Sequence, residues 1–178
     1  MKLHHLFVAA FLVATSFINA QNKEVTLEEI WGGEFRQEYL QSLRSLNNGE
    51  EYAVRNFDRT TRTMNVDVYS YETGEKTRTL ISSADIEGLG FFQDYTLSEN
   101  ESKVILSTQV QSIFRRSTTG VYYVYDFSSE KLTQISEDRI QEPTFSPDAS
   151  KVAYVFENNI YVKDLSSGET TQLTSDGK

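Results

Sequence analysis

Residues 142–173, EPTFSPDASKVAYVFENNIYVKDLSSGETTQL, hold one complete sheet motif against which the rest of the chain can be read. Pro143-Thr144-Phe145 is extended and runs into Ser146-Pro147-Asp148-Ala149, a turn in which proline presets φ at the second position and aspartate can bond back to the backbone. Residues 151–156 then read as a strand. Asn158-Asn159 tolerates the positive φ of a tight hairpin and returns the chain into residues 160–163, and Ser166-Ser167-Gly168-Glu169 makes a third reversal into residues 170–173. Four short antiparallel strands in sequence order make a meander.

Weaker copies of the motif precede it. LSENESKVIL (97–106) matches its turn and second strand, and YYVYDF (122–127) with KLTQI (131–135) matches its last two strands. A looser copy opens with SLNNGEEYAV (45–54) and closes with VDVYSYETGE (66–75) and TLI (79–81). Meanders are therefore expected at about 40–82, 92–136 and 142–174. A sheet repeating at roughly 40 to 50 residues has the period of a β-propeller blade, because one such sheet cannot bury both faces until neighbours stack on it. The expected fold class is all-β, an incomplete β-propeller of four-stranded antiparallel meander blades with one short N-terminal helix. Three blades are fewer than the four to eight of most closed rings, so the sequence reads as the N-terminal blades, 21–178, of a longer propeller protein.

Residues 1–20 read as a secretory signal peptide, with Lys2 ahead of the apolar run 6–14 and a small residue, Ala20, before Gln21. Cleavage near Ala20 would send the product to the periplasm or outside the cell. The apolar run is shorter than the roughly 20 residues of a spanning helix.

The chain of 178 residues carries a formal charge of −9, one unit more negative once Lys2 leaves with the leader. Scattered basic residues among more numerous acids argue against nucleic acid as a partner. Cysteine is absent, and the two histidines, His4 and His5, lie in the leader. Residues 21–178 therefore hold no Ser-His-Asp triad, no Cys-His pair and no His- or Cys-ligated metal, and no cofactor is expected.

Thr26-Leu27-Glu28-Glu29 has the spacing of a capping box ahead of Ile30-Trp31, and Gly32-Gly33 ends the helix. Leu27, Ile30 and Trp31 are expected to pack against the first blade. The paired acids Glu28-Glu29 and Glu50-Glu51 are structural in this reading: the first pair suits the positive end of a helix, and neighbours on an extended chain point to opposite faces. An opening strand is expected within residues 35–46.

The second copy departs from the repeat between its second strand, 103 to about 109, and its third, 121–127. Eleven residues, VQSIFRRSTTG (110–120), stand where the third copy has a two-residue turn. Long loops on a rigid sheet scaffold are where binding residues tend to sit, and this one carries adjacent arginines in an acidic chain. Spacing alone favours two solvated arginines paired with surface acids.

The wording ILSTQVQSIFRRSTTGVYYVYDF followed by EPTFSPDASKVAYVFENNIYVKDL resembles the N-terminal propeller of dipeptidyl peptidase IV, a serine exopeptidase of the prolyl oligopeptidase group. The resemblance runs from about Leu27 to the end and is most specific from Asp94 to Lys178. It implies that Arg115, after Phe114, reaches the central cavity and hydrogen-bonds the substrate's P2 carbonyl oxygen; no role passes to Arg116, where some members carry histidine. A planar guanidinium suits such a ligand. The resemblance further implies a secreted exopeptidase releasing X-Pro or X-Ala dipeptides from peptides with a free N-terminus. It also implies a Ser-Asp-His triad in a C-terminal α/β-hydrolase domain that these residues lack, and a homodimer of the full-length enzyme. Without that domain the chain alone should be inactive. The alternative readings are a non-catalytic TolB-like propeller binding module of the periplasm and a glycosidase propeller using paired acids.

Overall fold

The structure is a computed structural model that describes residues 25–36 and 42–178, so the expected leader, 1–20, lies outside the described residues. The chain divides into two units, Met1–Leu40 and Gln41–Lys178.

In the first unit, α1 (Leu27–Gly32) forms as its caps dictate. The Thr26 hydroxyl accepts from the Glu29 N–H at 3.2 Å while the Thr26 N–H donates to Glu29 Oε2 at 3.1 Å. Gly33, at φ 81°, takes the left-handed cap that glycine adopts without a Cβ clash. Within these described residues no side chain of the helix is buried, and both of its ends are capped.

The second unit contains three four-stranded antiparallel sheets, each in sequence order. The first comprises β1 (Leu43–Ser45), β2 (Glu51–Asp58), β3 (Thr63–Ser70) and β4 (Lys76–Ser82). The second comprises β5 (Asp94–Leu97), β6 (Lys103–Ser112), β7 (Thr118–Asp126) and β8 (Lys131–Gln134). The third comprises β9 (Gln141–Phe145), β10 (Lys151–Phe156), β11 (Asn159–Asp164) and β12 (Thr170–Gln172). These are the expected meanders. Of the opening strand expected within 35–46, Phe35 belongs to the turn after α1 and Leu43–Ser45 pairs with β2, while residues 37–41 lie outside the described residues.

One turn is used three times between first and second strands. Gly49, Glu101 and Ala149 all have positive φ, and their N–H groups donate to Leu46, Ser98 and Ser146 carbonyls at 2.8–3.0 Å. The residue before each, Asn48, Asn100 or Asp148, accepts from the backbone two residues on. That is why the turn residues repeat in the sequence. The β10–β11 hairpin turns one residue earlier than expected: Glu157 and Asn158 take positive φ, at 47° and 61°, and Asn159 already pairs with Phe156. Positive φ at both central positions has the twist a two-residue hairpin needs.

The core lies between sheets, as period-two alternation requires. Val104 and Leu106 of β6 pack with Ala53, Val66, Val68 and Phe92 on the side of the first sheet, whereas Ile105 joins Tyr122, Val124, Ile140 and Val152 on the side of the third. First strands lie near one another. Arg44 of β1 meets Asp94 of β5 at 3.2 Å and stacks over Tyr95, whose hydroxyl donates to the Ala53 carbonyl at 3.0 Å.

Candidate functional site

Antiparallel order puts the β6–β7 hairpin at the same end of the second unit as the β2–β3 and β10–β11 turns and the sheet-to-sheet connections. The eleven residues anticipated as a loop are mostly ribbon. β6 runs on to Ser112 and β7 starts at Thr118, leaving only 113–117 as the tip. The ladder is interrupted once. Thr108 pairs with Val121, and beyond a bulge Gln111 pairs with Thr119 and Ser112 with Thr118. Gln109 takes φ 51° within that bulge, so the ribbon bends there.

Arg115 and Arg116 both lie exposed in the tip, which the Ile113 N–H closes by donating to the Ser117 carbonyl at 2.8 Å. Neither forms an ion pair with an acid among the described residues, contrary to the bland expectation from spacing. Phe114, between Ile113 and Arg115, is 77% exposed. The tip therefore presents an aromatic ring and two guanidinium groups, whose donors suit a carbonyl or carboxylate oxygen.

The root of the ribbon borders a groove of about 390 Å³ lined by Asp94, Ser107, Val110, Thr118, Tyr122 and Glu142 among others. Gly120 there has room for no larger residue without adjustment: a Cβ would lie 3.1 Å from the Thr108 carbonyl oxygen and 3.2 Å from the Tyr122 ring. Gly120 and Ile140 exchange backbone hydrogen bonds, both 3.0 Å, joining the second sheet to the start of the third. A second groove, about 540 Å³, lies between Arg44, Arg55, Phe57, Met64, Asp94 and Tyr95. Burial raises the Tyr122 phenol above its ordinary pKa and pushes Tyr95 up to about 12, so both are neutral at physiological pH. Among the described residues no group of three or more His, Asp or Glu converges on a metal position, and no helix is long and apolar enough to cross a membrane.

Sequence reasoning singled out Arg115 and passed over Arg139. This half-buried residue lies in the β8–β9 connection, and its guanidinium donates to the carbonyls of Gln109 and Thr119, the latter at 3.2 Å.

Three four-stranded meander sheets define an all-β propeller segment, and comparison with known proteins shows in which proteins similar segments occur. Residues 98–178 match the family described as the dipeptidyl peptidase IV (DPP IV) N-terminal region. The chain is 30% identical over 158 residues to human prolyl endopeptidase FAP, covering 88% of this chain and 20% of that protein. It is 29% identical over 178 residues to a probable dipeptidyl-aminopeptidase B of Aspergillus niger, covering 92% and 20%. The crystal structure of Porphyromonas gingivalis dipeptidyl peptidase 4 superposes with a TM-score of 0.72 at 33% identity, covering 88% of this chain and 22% of the other. The chain thus spans about a fifth of the length of these relatives. The similarity lies in their N-terminal propeller region.

Proposed function

We propose that this chain supplies the first blades of a secreted dipeptidyl peptidase IV-like serine exopeptidase, which releases X-Pro and X-Ala dipeptides from peptides with a free N-terminus. The observation that carries the proposal is Arg115: exposed at the tip of the bulged β6–β7 hairpin, without an acidic partner among the described residues. A guanidinium so placed offers its donors to a ligand, here the carbonyl oxygen of the substrate's second residue. The serine that attacks the scissile bond, with its Asp and His, belongs in this reading to an α/β-hydrolase domain carried by the full-length enzyme.

The test is expression of the complete reading frame and assay with Gly-Pro and Ala-Ala p-nitroanilides. Release of p-nitroaniline that is lost when the N-terminus is acetylated supports the reading, and a protein that binds peptides without cleaving them would overturn it. Secretion is part of the proposal. Mature protein recovered outside the cytoplasm should begin at Gln21, and retention of Met1 would contradict it.

A further inference from the structure

We infer that Arg139 is a positioning residue for Arg115, locking the root of the hairpin whose tip carries it; the inference rests on the reading of Arg115 given above. Where the β6–β7 ladder breaks, Gln109 drops out of the pairing and its carbonyl must find a partner other than a rung. One terminal nitrogen of Arg139 donates to the carbonyls of Gln109 on β6 and of Thr119, on the first rung past the bulge, on β7, so it spans both strands at the bend. The arginine is itself fixed. Its neighbour Ile140 is fully buried and bonded in both directions to Gly120, and the Thr119 hydroxyl donates to the Ile140 carbonyl at 3.3 Å. On the opposite strand the Val110 N–H donates to Gln93 Oε1 at 2.5 Å, tying the root to the preceding sheet connection.

Beyond this root the backbone pairing of the hairpin, among the described residues, consists of the Gln111–Thr119 and Ser112–Thr118 rungs and the tip's own turn. A two-stranded ribbon of that length has little stability of its own. The direction of Arg115 is therefore set where the ribbon leaves the sheet. Arg139 has no carboxylate within ion-pair distance among the described residues, and its Nε is buried without a hydrogen-bond partner. Its charge is directed at carbonyls of the hairpin root.

The test uses Arg139→Met, which keeps an apolar stem and removes the donors, with Arg139→Lys as the conservative replacement, both in the full-length enzyme. Amide hydrogen exchange in peptides covering 109–119 should quicken about tenfold in Arg139→Met while peptides covering β2 and β3 stay unchanged, and Arg139→Lys should restore part of the protection. kcat/KM for Gly-Pro p-nitroanilide should fall about tenfold, and adding Arg115→Ala should cost no more than Arg115→Ala alone, since both act through one contact. Unchanged exchange at the hairpin, equal acceleration in all three sheets, or fully additive losses would overturn the inference. Should Arg115→Ala leave kcat/KM intact, the substrate reading fails, while the exchange measurement still decides whether Arg139 holds the hairpin.

Discussion

Lys103 and Asp126 face each other on the first rung of the β6–β7 ladder and form an ion pair of 2.9 Å. Lys151 and Asp164 repeat the pair on the first rung of β10–β11. Each aspartate also closes the next turn: Asp126 Oδ1 accepts from the Ser128 and Ser129 N–H groups, and Asp164 Oδ1 from those of Ser166 and Ser167. The first sheet changes the chemistry but keeps the place. Its rung is Glu51–Ser70, where the Ser70 hydroxyl caps the turn and Glu51 bonds to Arg78 at 2.6 Å.

These bonds make stability depend on acid. Hydrogen bonds from Ser128 and Lys103, and from Lys151 and Ser166, hold Asp126 and Asp164 well below the usual carboxylate range. Arg78 and Thr77 lower Glu51 to about 2, and Ser146 and Ser150 lower Asp148 to about 2. A carboxylate depressed in the folded state adds stability above its unfolded pKa of about 4, and that stability is lost as pH falls through the folded value. The melting temperature should drop as pH goes from about 4.5 to 2, less steeply in Asp126→Asn, which keeps an acceptor for the turn but does not titrate. A flat profile over that range would contradict the assignment.

Arg115→Ala in the full-length enzyme should lower kcat/KM for dipeptide substrates about ten- to a hundredfold, since a charge-assisted hydrogen bond is worth about 1.5 to 3 kcal/mol. The melting temperature should hardly move, because the side chain is exposed. Arg116→Ala provides the control and should cost at most about 1 kcal/mol. Equal effects at the two positions would remove the case for Arg115.

Phe91 and Phe92 are adjacent in sequence and opposite in environment. Phe92 is fully buried between the first and second sheets, whereas Phe91 is 57% exposed and meets Phe57 edge-on. Phe92→Ala should cost about 3 to 5 kcal/mol in urea unfolding. Phe91→Ala should cost under about 1.5 kcal/mol, the worth of one aromatic contact. Similar losses would mean that the alternation is misassigned.

Tyr95→Phe isolates one inter-sheet bond, from the buried phenol to the Ala53 carbonyl. The expected loss is about 1 kcal/mol, read as a lower urea midpoint with an unchanged slope. A changed slope would show that the two sheets no longer unfold together.

The repeat was legible because it is written in turn chemistry. Asn48, Asn100 and Asp148 recur at the position whose side chain must accept a backbone N–H, and no packing information is needed to see them. The hairpin 110–120 was read as an unpaired loop because its bulge sits at Gln109, a residue that carries no signal for positive φ, and the alternation of side chains breaks there. The tip arginines stand out by the extra length of their segment and by their charge in an acidic chain, and a role for Arg115 comes only from the family resemblance. Arg139 does not stand out, since its partners are backbone carbonyls distant in sequence and leave no matching side-chain pattern.

The bulge at Gln109 also separates two kinds of change over evolutionary time. Within β6, inserting one residue would exchange Val104, Leu106 and Ile105 between the two cores they serve, which selection would remove at once. Beyond the bulge no buried side chain depends on register. Residues added or deleted in pairs between Gln111 and Thr118 would lengthen or shorten the arm by whole rungs and leave the sheet untouched. Descendants of one scaffold could thereby adjust how far the hairpin tip extends without renegotiating the packing beneath.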